Sequence, residues 1–116
     1  MTDIEYIQST ANVIARQLGG TQFEKETGAL FEFALMSPNG NPMLAVRLPE
    51  NKSGANWMFI EYERGEDTYR VIVSKVEEDA TGTAVYDQKG IYCDMLQDVF
   101  SNVTGIKIQE SRVVFG

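Results

Sequence analysis

Between residues 29 and 76 the chain runs through four short segments of two-residue periodicity, 29–36, 43–48, 57–63 and 68–76, each set off by turn-forming residues. A period of two sends alternate side chains to opposite faces, so these segments are committed to strands of one meander. Pro38, Asn39, Gly40, Asn41 and Pro42 separate the first pair. Proline, glycine and asparagine at such spacing specify a turn and cannot continue a strand. Pairing Phe33 with Val46 is the expected register. It gathers Phe31, Phe33 and Leu35 onto the face of Leu44, Val46 and Leu48 and sets Glu32 against Arg47. The second pair turns at Arg64, Gly65, Glu66 and Asp67. Pairing Tyr62 with Tyr69 aligns Met58, Ile60 and Tyr62 with Tyr69, Val71 and Val73, and sets Glu61 against Arg70.

Helices flank this meander. Ile4, Ile7, Ala11, Ile14 and Leu18 recur at steps of three and four, which predicts an amphipathic helix over 2–18. Thr2 and Glu5 form a capping box, and Gly19 and Gly20 end the helix. Residues 21–27 read as a connector or short strand. Thr83–Asp87 reads as a further strand. Tyr92, Met95, Leu96, Val99, Phe100 and Val103 predict a second helix over about 90–103, closed by Gly105. Ile106–Phe115 reads as a last strand. The expected fold class is α+β: one domain, 1–116, with an antiparallel sheet of about five to six strands and both helices on one face, in the order α-β-β-β-β-β-α-β.

Composition limits the chemistry. The chain of 116 residues has no histidine, one cysteine and a net charge of −7. Histidine is the commonest catalytic base and metal ligand, so its absence argues against both roles. Cys93 has no histidine to activate it and reads as a packed small side chain. Asp94 and Asp98 are spaced to share a helix face, which reads as solvated surface, since no calcium-loop pattern accompanies them. Neither a glycine-rich phosphate loop nor a nucleophile elbow occurs. The expectation is therefore a protein that is not an enzyme and needs no metal or cofactor. The N-terminal residues lack the basic and apolar regions of a secretory signal, and no apolar run reaches membrane-spanning length, which places the chain in the cytoplasm. Its acidity argues against direct contact with nucleic acid or an anionic membrane.

Two surfaces remain as candidates. Seven of the seventeen acids, Glu61, Glu63, Glu66, Asp67, Glu77, Glu78 and Asp79, fall within 61–79, where only Arg64, Arg70 and Lys75 oppose them. Such a row imitates nucleic-acid phosphates and is complementary to a basic groove. The second surface is the sheet face away from the helices. It is expected to carry Leu30, Ala34, Met36, Met43, Ala45, Trp57, Phe59 and Ile72, with Met36, Met43, Trp57, Phe59 and Ile72 as the apolar contact for a partner or a second copy.

No residue pattern identifies a family. The small, acidic, motif-free profile is similar to that of inhibitory proteins of phages and mobile elements, such as anti-CRISPR and anti-restriction proteins, and to toxin immunity proteins. That likeness implies a nucleic-acid mimic that occludes a basic, nucleic-acid-binding surface of a protein partner. The alternatives are a dimeric adaptor or secretion-chaperone-like protein holding a partner peptide, and a small enzyme or ligand-binding domain with a pocket between helices and sheet.

Overall fold

Every strand of the meander pairs with its neighbour in sequence. The computed structural model describes residues 3–108. It contains helices α1 (Asp3–Leu18) and α2 (Gly20–Thr27), strands β1 (Leu30–Met36), β2 (Pro42–Arg47), β3 (Trp57–Glu63), β4 (Thr68–Val76) and β5 (Gly82–Ile91), a 3-10 turn (Cys93–Met95) and helix α3 (Leu96–Thr104). The five strands form one antiparallel sheet in the order β1-β2-β3-β4-β5. The helices pack on one of its faces, and the fold is α+β as expected. The core between them joins Ala11, Ile14 and Leu18 of α1 and Leu96, Val99 and Phe100 of α3 to Val46, Met58, Ile60, Val71 and Val73 of the sheet.

The second hairpin has the expected register, with Tyr62 opposite Tyr69 and Glu61 opposite Arg70. The first does not. Val46 lies opposite Phe31, and a bulge then shifts the register so that Phe33 faces Ala45. One extra residue in a strand reverses the alternation beyond it. Phe31 therefore points to the helices, where its ring stacks on Phe23 at 5.6 Å. Phe33 and Leu35 turn to the opposite face, and Phe33 stands 50% exposed while Val46 is fully buried. Glu32, at the bulge, still reaches Arg47 at 3.1 Å, so the expected ion pair forms in a different register.

Residues 21–27 belong to a helix, not a connector or strand. The segment has only one pair of inward positions, Phe23 and Thr27, too few to display a period. What docks it is Phe23, which is 1% exposed and also meets Phe100 edge-on at 4.8 Å. Gly19, at φ 123°, makes the corner from α1 to α2; a β-carbon there would come within 3.1 Å of Phe23 Cβ. In α1 the apolar stripe is buried only from Ala11 onward, and Ile4 is 79% exposed. The capping box begins at Thr2, outside the described residues.

The strand expected at 83–87 extends over 82–91, and it takes the first residues of the expected second helix. Ile91 pairs with Tyr69 and is buried, and Tyr92 remains extended. The α-helix starts only at Leu96. Tyr92 and Met95, which match the helical spacing in sequence, are consequently exposed. Ile106 and Ile108 pack against the core without strand structure, and the rest of the expected last strand, 109–115, lies outside the described residues.

Candidate interaction surface

Among the described residues, no helix or strand covers the second face of the sheet. Alternation along each strand places three rows of side chains there. One row is Leu30, Arg47, Trp57 and Ser74; the next is Phe33, Ala45, Phe59, Ile72 and Asp87; the third is Leu35, Met43, Glu61 and Arg70. Trp57 and Phe59, two residues apart on β3, stack at 6.0 Å and 11°. Phe33 closes on Trp57 at 5.6 Å. The Arg47 guanidinium lies over the Trp57 ring at 4.6 Å, itself held by Glu32. Cation–π contact and ion pair both hold the Arg47 side chain against the aromatic surface. Trp57, Phe59 and Ile72 are half-buried by one another, and Met43 and Ala45 are buried under them.

The four apolar candidates Met43, Trp57, Phe59 and Ile72 thus share this face. Met36 does not. The bulge sends it, opposite Pro42, to the helix side, where it stands 48% exposed at the strand end. Ala34 likewise turns inward against the core. Phe33 and Leu35 take their places, and sequence alternation alone assigned both to the wrong face. The ion pair gives no signal for the bulge, because Glu32 reaches Arg47 although Leu30 holds the position opposite it.

The seven acids do not form one row. Glu66 and Asp67 occupy the turn before β4, and Glu77, Glu78 and Asp79 the turn after it. β4 has nine residues, so the two groups are separated by roughly 30 Å. That distance exceeds the screening length of ~8 Å at physiological salt several-fold, so the two groups act as independent fields. Two of these carboxylates also serve their own turns. Asp67, at φ 55°, accepts the Tyr62 hydroxyl at 2.7 Å. Asp79 accepts the Thr81 hydroxyl and amide at 2.7 and 3.1 Å, bonds that hold its carboxyl below the usual carboxylate range.

Glu61 stands apart from the other acids, being only 2% exposed. The β1–β2 turn folds over it. Ser37 Oγ donates to Glu61 Oε2 at 2.7 Å, Asn41 Nδ2 at 2.9 Å and Asn39 Nδ2 at 3.4 Å. Ser37 Oγ in turn accepts the amides of Asn39 and Asn41, each at 3.2 Å. The turn residues legible in the sequence are therefore also the donors of a carboxylate socket. Burial pushes the Glu61 carboxyl up, but the bonds from Asn41, Ser37 and Asn39 and the field of Arg70 outweigh it and hold it below its ordinary value. Arg70 itself is engaged elsewhere. Its Nε and Nη2 donate to the two oxygens of Asp87 at 2.8 and 2.7 Å, a bidentate pair that lowers the Asp87 carboxyl. Glu61 and Arg70 line a depression of about 480 Å³ in the open face, together with Leu35, Met43, Phe59 and Ile72 and with Ser37, Pro38 and Asn39 of the β1–β2 turn.

Other candidates remain apart from this face. Cys93 and Asp94 lie exposed in the 3-10 turn, and Asp98 lies exposed on α3, so the two aspartates do not share a regular helix. Among the described residues no group of three or more acidic or thiol side chains is placed to hold a metal ion. No described helix is long and apolar enough to cross a membrane. In comparisons with protein-family models, curated proteins and solved structures, none matches this chain.

Proposed function

We propose that the protein is a non-enzymatic binding module that engages a protein partner through the open face of its sheet. The observation that carries this reading is the uncovered aromatic row Phe33–Trp57–Phe59, with Arg47 locked over Trp57. Contiguous apolar surface of several hundred Å² mostly marks a contact site. Five strands at ~4.8 Å spacing and about seven residues of length give this face roughly 550 Å² on each side of a contact. Two such faces meeting would bury roughly 1,100 Å², enough for a specific interface. Tryptophan, phenylalanine and methionine at the centre with arginine beside them match the composition of interface cores.

The charge of the chain bears on the choice of partner. A net charge of −7 favours a basic partner and speeds its encounter. Occlusion of a basic, nucleic-acid-binding surface remains compatible with this face as the contact, with the acids at the turns steering approach. Imitation of a phosphate row receives less support, because the acids divide between opposite ends of β4. The dimeric adaptor uses the same face with a second copy as first occupant.

Affinity capture from the native host tests the reading, with wild type, Trp57→Glu and a Glu66→Lys/Asp67→Lys double variant compared side by side. Loss of the captured partner with Trp57→Glu alone, in a protein of unchanged circular dichroism, is the expected result. Capture that survives Trp57→Glu but fails with the double variant would overturn the open-face reading in favour of acidic mimicry. Light scattering on the same samples distinguishes a second copy from a foreign partner.

A further inference from the structure

Glu61 is a buried carboxylate that feels the field of Arg70 but forms no salt bridge with a described cation. Its three hydrogen bonds all land on Oε2, and Oε1 receives none of them. Arg70, opposite it across the β3–β4 ladder, gives both its side-chain hydrogen bonds to Asp87. Asp87, outside the lining, is paired with Arg70, so the three groups together carry one net negative charge. The turn donors and the field of Arg70 keep this carboxylate ionised, but all three bonds fall on Oε2, so Oε1 keeps its acceptor capacity. Leu35, Pro38, Met43, Phe59 and Ile72 make the lining largely apolar, and Ser37, Asn39 and Arg70 are its other polar members beside Glu61. A largely apolar depression with a fixed negative charge in it is the complement of an amphipathic cation.

We infer that the depression is a lysine socket: a partner's lysine lays its aliphatic stem between Leu35, Met43, Phe59 and Ile72 and brings its ammonium group to Glu61. The inference rests on the reading of the open face as a protein contact. Lysine fits better than arginine because one carboxylate oxygen is already saturated. A guanidinium gains most from two parallel bonds to both oxygens, whereas an ammonium is satisfied by a single acceptor as a point charge. The volume, about 480 Å³, exceeds what one lysine side chain fills, so residues flanking that lysine share the space. Ionisation of Glu61 at neutral pH, favoured by its turn donors, keeps the socket charged.

The test is an NMR titration of the full chain with n-pentylammonium, a stem-and-charge probe, against neutral n-pentanol. Saturable shifts at Leu35, Met43, Glu61 and Ile72 are expected with the cation, and at least tenfold weaker binding with the alcohol. Glu61→Gln should weaken the cation at least tenfold and leave the alcohol unchanged. Arg70→Gln removes the one positive charge of the depression and should tighten the cation several-fold. Loosened packing would weaken both probes, so this variant keeps the test decisive even if Glu61→Gln folds poorly. Equal binding of cation and alcohol, or weakened cation binding in Arg70→Gln, would overturn the socket. An acetylated tripeptide with a central lysine should bind at least as tightly as spermidine; tenfold tighter spermidine would overturn the assignment to a protein lysine. The probes read the socket alone, whereas Trp57→Glu in the capture experiment reads the open face alone.

Discussion

Truncating Phe33 to alanine should cost the fold about 1–2 kcal/mol, while the same truncation at Phe23 should cost about 3–5 kcal/mol. Sequence alternation assigns Phe33 to the core and gives it the larger figure. The bulge between Phe31 and Phe33 reverses that assignment. Phe33 is 50% exposed, so only half of its transfer free energy is at stake, roughly 1 kcal/mol, with a few tenths more for its contact with Trp57. No closed cavity forms, because water already reaches the site. Phe23 is 1% exposed and packs on Phe31 and Phe100, so its removal leaves a void with aromatic walls and disrupts two ring pairs. At ~4 °C per kcal/mol for a domain of this size, the expected drops in Tm are about 4–8 °C and about 12–20 °C. Urea denaturation followed by circular dichroism measures both, with an unchanged m-value confirming that the native state is comparable. The melts should be run at two concentrations tenfold apart, because self-association through the open face would add apparent stability to wild type. Equal costs for the two variants at the lower concentration would refute the bulged register and restore Phe33 to the core.

Further expectations follow from single sites. Ala80 sits at φ 71° in the β4–β5 turn, so Ala80→Gly should stabilise the protein by about 0.5–1 kcal/mol, read as a higher urea midpoint. Burial pushes the Tyr69 hydroxyl up to about 12, with the charge of Cys93 adding to it and the bond to Gln17 opposing it. The folded state then holds its proton more tightly than the unfolded state, so stability should be full below pH ~10 and fall between pH ~10 and 12. Tyrosinate absorbance should show the Tyr69 ring titrating late, alongside Tyr62, whose bond to Asp67 also pushes its hydroxyl up, and Tyr69→Phe should flatten that loss. Glu61 titrates below its ordinary value, so its stabilisation is present at neutral pH and lost as pH falls beneath about 4.5, its unfolded value. Asn41→Ala should shrink this acid loss, measured by melts from pH 3 to 6. Reversing charge at Glu66 and Asp67, or at Glu77 and Glu78, should change partner on-rates additively, because the two turns lie at opposite ends of β4.

Periodicity and turn chemistry by themselves determined the meander, the second hairpin's register and the amphipathic helix α1. Each is a local pattern repeated over enough residues to exclude its alternatives. Tyr62 opposite Tyr69 follows because a slip of one residue would turn Met58, Ile60, Val71 and Val73 away from the core. The presence of an apolar second face, with Trp57, Phe59 and Ile72 upon it, was legible for the same reason. Composition marked the acids but not their arrangement, because residues close in sequence stand at opposite ends of a strand once it is extended. Only the tertiary structure decided the first hairpin. Both registers place Glu32 near Arg47 and Phe31 on the helix side, so local pattern does not choose between them; in the bulged one Ala34, not Phe33, packs against the core. Helix α2 has the same origin: one buried phenylalanine docks it, and a single anchor has no period to read. The start of α3 moved for a related reason, since Ile91 is held opposite Tyr69 in the sheet before helical spacing takes over. Glu61 is the clearest case. In sequence it is one acid among seven; its burial depends on a turn some twenty residues earlier folding across β2 to deliver Ser37, Asn39 and Asn41 to its carboxylate. Contacts between segments distant in sequence leave no periodic trace, and the candidate socket is made of them.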